Sequence, residues 1–234
     1  MDATTIERAI RQLKQNILNS IHHETLFQHL GEPTLFDRQL FFLILPKLNG
    51  EKWNQDVETA MISAGIVHAS LAEHAKINEE EITKEQQLTV LSGDFYSGRY
   101  YQVLAHAKNV QLIKLLSRAV VKRSEKTIAL IEEQISTMES WLEALTVIET
   151  ALIESFYENY CFTKYLPFAK QALTVAKLKN IVNAMDQYEY IPSFITKESL
   201  QQVIDTLQQS LHQQLTQSNL SNELQNAIFA YMDC

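Results

Sequence analysis

The sequence predicts an all-α protein, and three observations lead to this fold class. Apolar residues recur with the 3.6-residue period of an α-helix in nearly every segment. Only 5 glycines and 4 prolines occur in 234 residues, too few for the many turns of an all-β fold. The hydrophobic content of 46% and the charged content of 21% are typical of a globular protein with a substantial core. With no fixed-period repeat and no linker, we expect one multi-helix domain over residues 1–234.

The first part of the chain is expected to form three helices. They cover residues 5–30, residues 35–45, and a stretch from Trp53 to the acidic run at 79–81. Gly31 and Pro33 end the first of them, and Pro46 ends the second. The first helix has a clear apolar stripe made of Ile6, Ile10, Leu13, Ile17 and Ile21.

After a glycine-containing helix over 88–105, further helices are expected, which gives eight to ten in all. They cover residues 110–136, 140–160, 168–185, 196–215 and 223–232. Asn109 and Thr196 are suitable N-cap residues, and Pro167 marks a bend.

Composition and charge exclude several classes of function. The net charge of −8 argues against nucleic-acid binding, so the basic group Lys122, Arg123 and Lys126 is interpreted as a solvated helix face. Cys161 and Cys234 form neither a disulfide framework nor a zinc pattern, and we expect a reducing, cytoplasmic location. The N-terminus lacks the apolar core of a secretory signal. The longest apolar run, 40–45, is too short to span a bilayer, so any membrane contact is expected to be peripheral.

No catalytic or metal-binding motif is found in the sequence. None of the 7 histidines has metal-ligand spacing, and no nucleophile motif or phosphate-binding loop occurs. A magnesium site in a helical enzyme needs clustered carboxylates, yet no DDxxD occurs. The acidic runs at 79–81 and 132–133 are interpreted as solvated helix ends or faces.

The glycine-containing segment 88–105 is the most informative part of the chain. It holds Gly93 and Gly98 inside a predicted helix, where each costs about 1 kcal/mol relative to alanine. Gly93 and Ser97 share a face and would allow close approach, either by another helix of the core or by a partner or ligand. The same two turns contain Asp94, Phe95, Tyr96, Tyr100 and Tyr101.

Two short stretches of sequence resemble prenyl diphosphate synthases. An LxGDxYSGxxY pattern is formed by Leu91, Gly93, Asp94, Tyr96, Ser97, Gly98 and Tyr101. It is similar to the pattern of heptaprenyl diphosphate synthase component I, the small subunit of two-component trans-polyprenyl diphosphate synthases. Residues 67–71 and 90–95 also resemble the HASL and GDF helices of catalytic trans-prenyltransferases. Where those enzymes have their first aspartate-rich motif, this chain has Ala72, Glu73, His74, Ala75 and Lys76.

The resemblance implies a degenerate isoprenoid-synthase-like helical bundle that acts as a non-catalytic subunit. Its partner would be a catalytic large subunit carrying DDxxD motifs and Mg²⁺, while this chain would bind no cofactor. The heterodimer would elongate farnesyl diphosphate with isopentenyl diphosphate to a heptaprenyl or hexaprenyl diphosphate for the menaquinone side chain. The residues expected at the subunit interface or near the product tunnel are His68, Ser70, Gly93, Asp94, Phe95, Tyr96, Ser97, Gly98, Tyr100 and Tyr101.

Two other interpretations remain open at this stage. The chain could be a helical interaction or scaffold protein unrelated to prenyl transfer. It could also be a stand-alone terpenoid enzyme with a degenerate metal site, although the missing DDxxD argues against this.

Overall fold

The computed structural model describes residues 3–78, 83–188 and 191–233, and within these ranges helices are the only regular secondary structure. The prediction of an all-α fold is confirmed. The described residues form ten α-helices: α1 (Ala3–Ile21), α2 (Glu24–Leu30), α3 (Asp37–Leu48), α4 (Gln55–His74), α5 (Lys84–His106), α6 (Val110–Ile131), α7 (Met138–Asn159), α8 (Leu166–Asn183), α9 (Lys197–Thr216) and α10 (Asn222–Asp233). Two short 3₁₀ helices cover Thr163–Tyr165 and Met185–Gln187. The predicted acidic run at 79–81 and Cys234 lie outside the described residues.

The chain divides into two compact units of similar size. The N-terminal unit ends at Leu116 and the C-terminal unit begins at Ser117, so the boundary falls within α6. Each unit has its own set of packed helices. The expectation of a single domain stays a prediction.

In the N-terminal unit, α4 is the central helix, and α1, α3 and α5 pack against it. The Asn54 side chain caps α4 by accepting a hydrogen bond from the Val57 N–H at 3.0 Å. Small residues let the neighbouring helices come close. A Cβ atom at Gly65 would lie 2.3 Å from Cδ1 of Ile17 on α1, so only glycine fits this crossing.

The prediction of one continuous helix over 5–30 is wrong. The chain breaks after Ile21, and His23 starts α2 as its N-cap by accepting the Leu26 N–H on Nδ1 at 3.4 Å. The predicted apolar stripe from Ile6 to Ile21 is buried as expected. Gly31 ends α2 with a φ of 75°, a conformation that favours glycine.

Other helix ends differ from the predicted ones by a few residues. Pro46 lies inside the last turn of α3, which continues to Leu48. The helix predicted to reach 136 ends at Ile131, and Glu133 has a positive φ of 52°. The N-caps predicted at Asn109 and Thr196 are confirmed: each accepts a hydrogen bond from a backbone N–H three residues on.

In the C-terminal unit, α8 is the central helix, and α7, α9 and α10 pack against it. Pro167 lies in the first turn of α8, where its missing N–H is not needed. The hydroxyl groups of Thr146 on α7 and Thr174 on α8 lie 2.9 Å apart inside this unit.

Lys122 and Lys126, near the start of this unit, form ion pairs with acidic residues of α7 and are also partly exposed to solvent. Lys126 Nζ lies 3.0 Å from Glu143, and Lys122 Nζ lies 3.9 Å from Glu154. Burial lowers the pKa of Arg123, and the charge of Glu149 opposes that shift. The interpretation of this group as a purely solvated face is therefore replaced by an α6–α7 ion-pair network. The predicted apolar positions Ile128 and Ile131 of α6 are 50% and 45% exposed.

Candidate functional site

The sequence motifs that resemble prenyl synthases lie on α4 and α5, which pack closely along each other. Ser70 on α4 donates a hydrogen bond from its hydroxyl to the Gly93 carbonyl on α5 at 2.8 Å. His68 and Ser70 are both only 4% exposed. The two motifs, separated along the chain, therefore meet in one helix pair.

Gly93 lies where α5 packs closely against the end of α4. A Cβ atom at this position would lie 2.7 Å from two atoms of the His74 ring. No side chain fits there without moving the ring. Gly93 thus allows a tight crossing inside this chain, which is the first of the two interpretations given for it above.

His74 also faces the carboxylate of Asp94. Its Nε2 lies 3.5 Å from Oδ1 of Asp94, whose side chain is 68% exposed. Asp94 is therefore in contact with a side chain of the neighbouring helix α4.

Glu73 lies where the catalytic trans-prenyltransferases named above have their first aspartate-rich motif. Its negative charge is balanced by contacts within this chain. The side chain is only 4% exposed, and Oε1 lies 2.6 Å from the Lys76 ammonium group. The same oxygen accepts the Thr34 N–H at 3.4 Å. A carboxylate buried in this way is stable because it has a cationic partner and a hydrogen bond.

Tyr96 on α5 lies close enough to Glu73 for the carboxylate charge to affect its pKa. It is 1% exposed. Burial, with a smaller contribution from the negative charge of Glu73, raises its pKa to about 12. Tyr96 therefore stays neutral across the physiological range.

The other side of α5 is open. Apart from its two chain neighbours and the adjacent α5 backbone, no atom of the described residues lies within 4 Å of a Cβ built on Gly98. Leu91 is 58% exposed and Tyr101 is 43% exposed on the same side. Phe95 lies at the edge of this side, with its ring 5.2 Å from that of His23.

The ten residues predicted for an interface or tunnel therefore fall into three groups. The buried ones are His68, Ser70, Gly93, Tyr96 and Tyr100. Phe95 and Ser97 are partly buried, and Asp94, Gly98 and Tyr101 are exposed. A role for any of them at a subunit interface stays a prediction.

Sequence reasoning did not find three features of this region. It did not identify Gly65 as a close contact with α1, nor the buried pairing of Glu73. It also overlooked Arg99, which donates from Nε and Nη2 to the Ser20 carbonyl at 2.9 and 2.8 Å and so ties α5 to the end of α1. Gly65 could have been found, since it is a third glycine inside a predicted helix. The burial of Glu73 against Thr34 and the contact of Arg99 with Ser20 depend on distant segments, although the spacing of Glu73 and Lys76 is local.

Within the described ranges, no group of three or more histidine, cysteine, aspartate or glutamate residues could hold a metal ion. None of the described helices is long and apolar enough to cross a membrane.

Comparisons with known proteins support the resemblance that was based on the motif residues of α4 and α5. Residues 23–229 match the family described as heptaprenyl diphosphate synthase (HEPPP synthase) subunit 1. Heptaprenyl diphosphate synthase component 1 of Geobacillus stearothermophilus is 28% identical over 124 residues, which are 53% of this chain and 56% of that protein. The match thus spans little more than half the length of this curated relative.

The fold is similar to that of a solved prenyl synthase. Geranylgeranyl pyrophosphate synthase from Lactobacillus brevis superposes with a TM-score of 0.71 over 98% of this chain and 95% of that chain, at 9% sequence identity. At this identity the likeness shows the fold alone. The family match covers most of the chain, and the protein belongs to the heptaprenyl diphosphate synthase subunit 1 family.

Proposed function

We propose that this chain is the non-catalytic component of a two-component heptaprenyl or hexaprenyl diphosphate synthase. It would form a heterodimer with a catalytic subunit that carries the DDxxD motifs and binds Mg²⁺. Together the two would elongate farnesyl diphosphate with isopentenyl diphosphate, and the product would supply the menaquinone side chain. Membership of the subunit 1 family and the component 1 relative support a role beside a second subunit.

The observation that carries this proposal is the internal ion pair of Glu73 with Lys76. Prenyl transfer breaks the bond between an allylic carbon and a diphosphate oxygen, and the leaving diphosphate needs metal or cationic stabilisation. Magnesium ions that bridge a diphosphate are bound by several carboxylates with open coordination positions. Glu73 is buried and already bound by an ammonium group 2.6 Å away. The residues present at this position do not fit such a metal site, and no step of the reaction is assigned to them.

The role of this chain is then to complete an assembly whose chemistry belongs to the partner. Its α4–α5 pair supplies a rigid, tightly packed scaffold around Gly93. We expect the pair of subunits to work in the cytoplasm, which fits a sequence with two cysteines and no disulfide framework. Any membrane contact would be peripheral and would follow the long apolar product.

A prenyl-transfer assay with both components tests this proposal. Incorporation of isopentenyl diphosphate into farnesyl diphosphate with Mg²⁺ is measured for this chain alone, for the catalytic component of the same organism alone, and for the mixture. We expect full activity in the mixture only. An equal mass of serum albumin in place of this chain controls for non-specific stabilisation of the enzyme.

A second control locates the chemistry. A catalytic component whose DDxxD aspartates are changed to alanine should give no product with this chain, if the partner holds the active site. Turnover by this chain alone would contradict the proposal and favour a stand-alone enzyme. A catalytic component unaffected by this chain in rate and product length would favour the alternative, a helical scaffold protein.

A further inference from the structure

We propose that His23 is a pH-sensitive switch for helix α2. The neutral ring caps the first turn of the helix, and a proton added to the ring removes the cap. Acidification therefore makes α2 open more often and uncovers the part of α5 against which it packs. The switch lies within this chain and does not depend on a catalytic partner.

The cap requires a His23 ring that has no proton on Nδ1. This nitrogen accepts a hydrogen bond from the Leu26 N–H at 3.4 Å, and a backbone N–H can only donate. Nδ1 is therefore the acceptor nitrogen of a neutral ring whose proton is on Nε2. An imidazolium ring has a proton on both nitrogens and accepts no hydrogen bond. Protonation of His23 thus replaces the cap bond by a contact between two donors.

The place of His23 at a helix N-terminus adds a second penalty for the charged ring. The unpaired N–H groups of the first turn and the helix dipole make this end of α2 partly positive. A positive ring is unfavourable there, whereas the usual cap side chains are neutral or negative. Histidine is the side chain that ordinarily changes charge between pH 5 and 8.

The caps of other helices in this chain have no such response to pH. They are made by serine, threonine or asparagine side chains, which stay neutral throughout the range in which histidine titrates. The N-caps of other described helices include Asn54, Thr83, Asn109, Thr137, Thr196 and Ser221. A switch that acts through a helix cap is therefore expected at α2 and not at these helices.

Helix α2 is short enough to depend on its cap. It has seven residues, of which only Leu26 is buried. A helix of about two turns is not stable by itself in water, so α2 is maintained by its packing on α5 and by its cap. The packing includes the His23 ring itself, which lies edge to face with the Phe95 ring at 5.2 Å.

The other charged groups near His23 do not remove the effect. Those on its own segment and on the adjoining part of α5 are His22, Glu24, His29, Asp94 and Arg99. Glu24 favours a proton on the neighbouring ring, but Arg99, which donates to the Ser20 carbonyl just before α2, opposes it. Asp94 faces His74 on α4. The loss of the acceptor nitrogen is independent of all these charges.

His29, in the last turn of α2, responds in the opposite direction. Its Nδ1 lies 2.9 Å from the Thr25 carbonyl, so this nitrogen is a donor and keeps its hydrogen bond when the ring is charged. A positive charge is also favourable at the C-terminal end of a helix. Acid therefore weakens α2 through His23 and strengthens it through His29, and single variants are needed to separate the two effects.

Hydrogen exchange of the full-length chain tests this inference. The protection of the α2 amides is measured by mass spectrometry at pH 7.5 and pH 5.5, each corrected for the exchange rate of an unfolded chain at that pH. In His23→Asn the cap acceptor remains but gains no charge. We expect the loss of protection between the two pH values to be at least about threefold greater in wild type than in His23→Asn.

His22→Asn is the matched control, because it makes the same substitution at the neighbouring histidine, which is not the cap. It should keep the wild-type response, since the ratio between two pH values cancels any general loosening of α2. His29→Gln should show a larger loss of protection in acid than wild type does. Peptides from α7 and α8 serve as internal controls and should show no such change.

Each outcome decides for or against the switch. Equal loss of protection on acidification in wild type and in His23→Asn would overturn it. A response that disappears in His22→Asn but not in His23→Asn would also overturn it, because the neighbouring ring would then be the sensor. If wild type shows little net change while His23→Asn gains protection in acid, the switch is supported and His29 offsets it in the wild-type chain.

Discussion

Three glycines lie inside α4 and α5, and their surroundings differ sharply. Gly65 faces the buried side chain of Ile17, Gly93 faces the half-buried ring of His74, and Gly98 faces open space. The comparison teaches that a glycine inside a helix indicates close approach, but not which element approaches. For the first two the neighbour belongs to the same chain. For the third, the described residues place no atom within 4 Å of an added Cβ, apart from the chain neighbours and the adjacent α5 backbone.

The largest effect in this comparison is expected for Gly65→Ala. The new Cβ would lie 2.3 Å from Cδ1 of Ile17, which is completely buried and cannot move aside. Overpacking should outweigh the gain in helix propensity and destabilise the chain by about 2 kcal/mol. Denaturant unfolding followed by circular dichroism measures this change.

A second variant checks the cause. Ile17→Val removes the Cδ1 atom that the alanine would strike, so in its background Gly65→Ala should cost much less. An equal cost in both backgrounds would show that the Ile17 contact is not the reason for glycine at this position.

The dependence of stability on pH tests whether the inner side of α5 is buried. Tyr96 on the inner side has its pKa raised to about 12, against 10.0 for an ordinary tyrosine, chiefly by burial. Below pH 10 the tyrosine is neutral in both states and stability is unaffected. Above pH 10 the unfolded chain loses the proton first, so stability falls by up to about 1.4 kcal/mol per pH unit until about pH 12.

Tyr96→Phe should therefore make the unfolding free energy decline less steeply above pH 10. Between pH 7 and 9 the substitution should not change how the unfolding free energy depends on pH. Some decline should remain, because burial also raises the pKa of Tyr157 in the C-terminal unit. The measurement is urea unfolding at a series of pH values for both proteins. Identical slopes in the two proteins would contradict the burial of Tyr96.

Gly93→Ala should have a smaller effect than Gly65→Ala, although its contact distance is also short. The atoms struck belong to the end of the His74 side chain, which is 34% exposed and can swing outward. The variant would lose the 3.5 Å contact of His74 with Asp94, an exposed pair of little energetic value. We expect a loss of about 1 kcal/mol or less.

The control is a double-mutant cycle with His74→Ala. If the ring is the obstacle, Gly93→Ala should be neutral or slightly stabilising once the ring is gone. A cost that persists without the ring would mean that the backbone of α4 limits the approach. Thermal unfolding of the four proteins gives the coupling energy directly.

Much of the fold could be predicted from the sequence because helix periodicity is a local signal. The stripe from Ile6 to Ile21 and the caps at Asn109 and Thr196 are all local patterns, and the structure confirms them. The break after Ile21 was missed because a histidine, which is an uncommon N-cap, starts the next helix.

The geometry of the site was harder to predict because it depends on which side of α5 faces the core. The motif spacing placed Gly93 and Ser97 on one face, but periodicity alone does not say what covers that face. Tyr96 and Tyr101 look equivalent in sequence, yet one is 1% and the other 43% exposed. The hydrogen bond from the Thr34 N–H to Glu73 joins segments 39 residues apart, which no local pattern reveals, whereas the pairing of Glu73 with Lys76 spans only three residues.

The smallest effect, and one of opposite sign, is expected for Gly98→Ala. A Cβ at this position meets no atom of the described chain, so no overpacking offsets the better helix propensity of alanine. The free chain should become more stable by about 0.5 kcal/mol, measured by the same unfolding experiment as for the other two glycines. A destabilised free chain would show that Gly98 already has a neighbour within its own fold, and the contrast among the three glycines would then disappear. Because the same substitution is made at all three positions, differences in sign and size report only what surrounds each glycine.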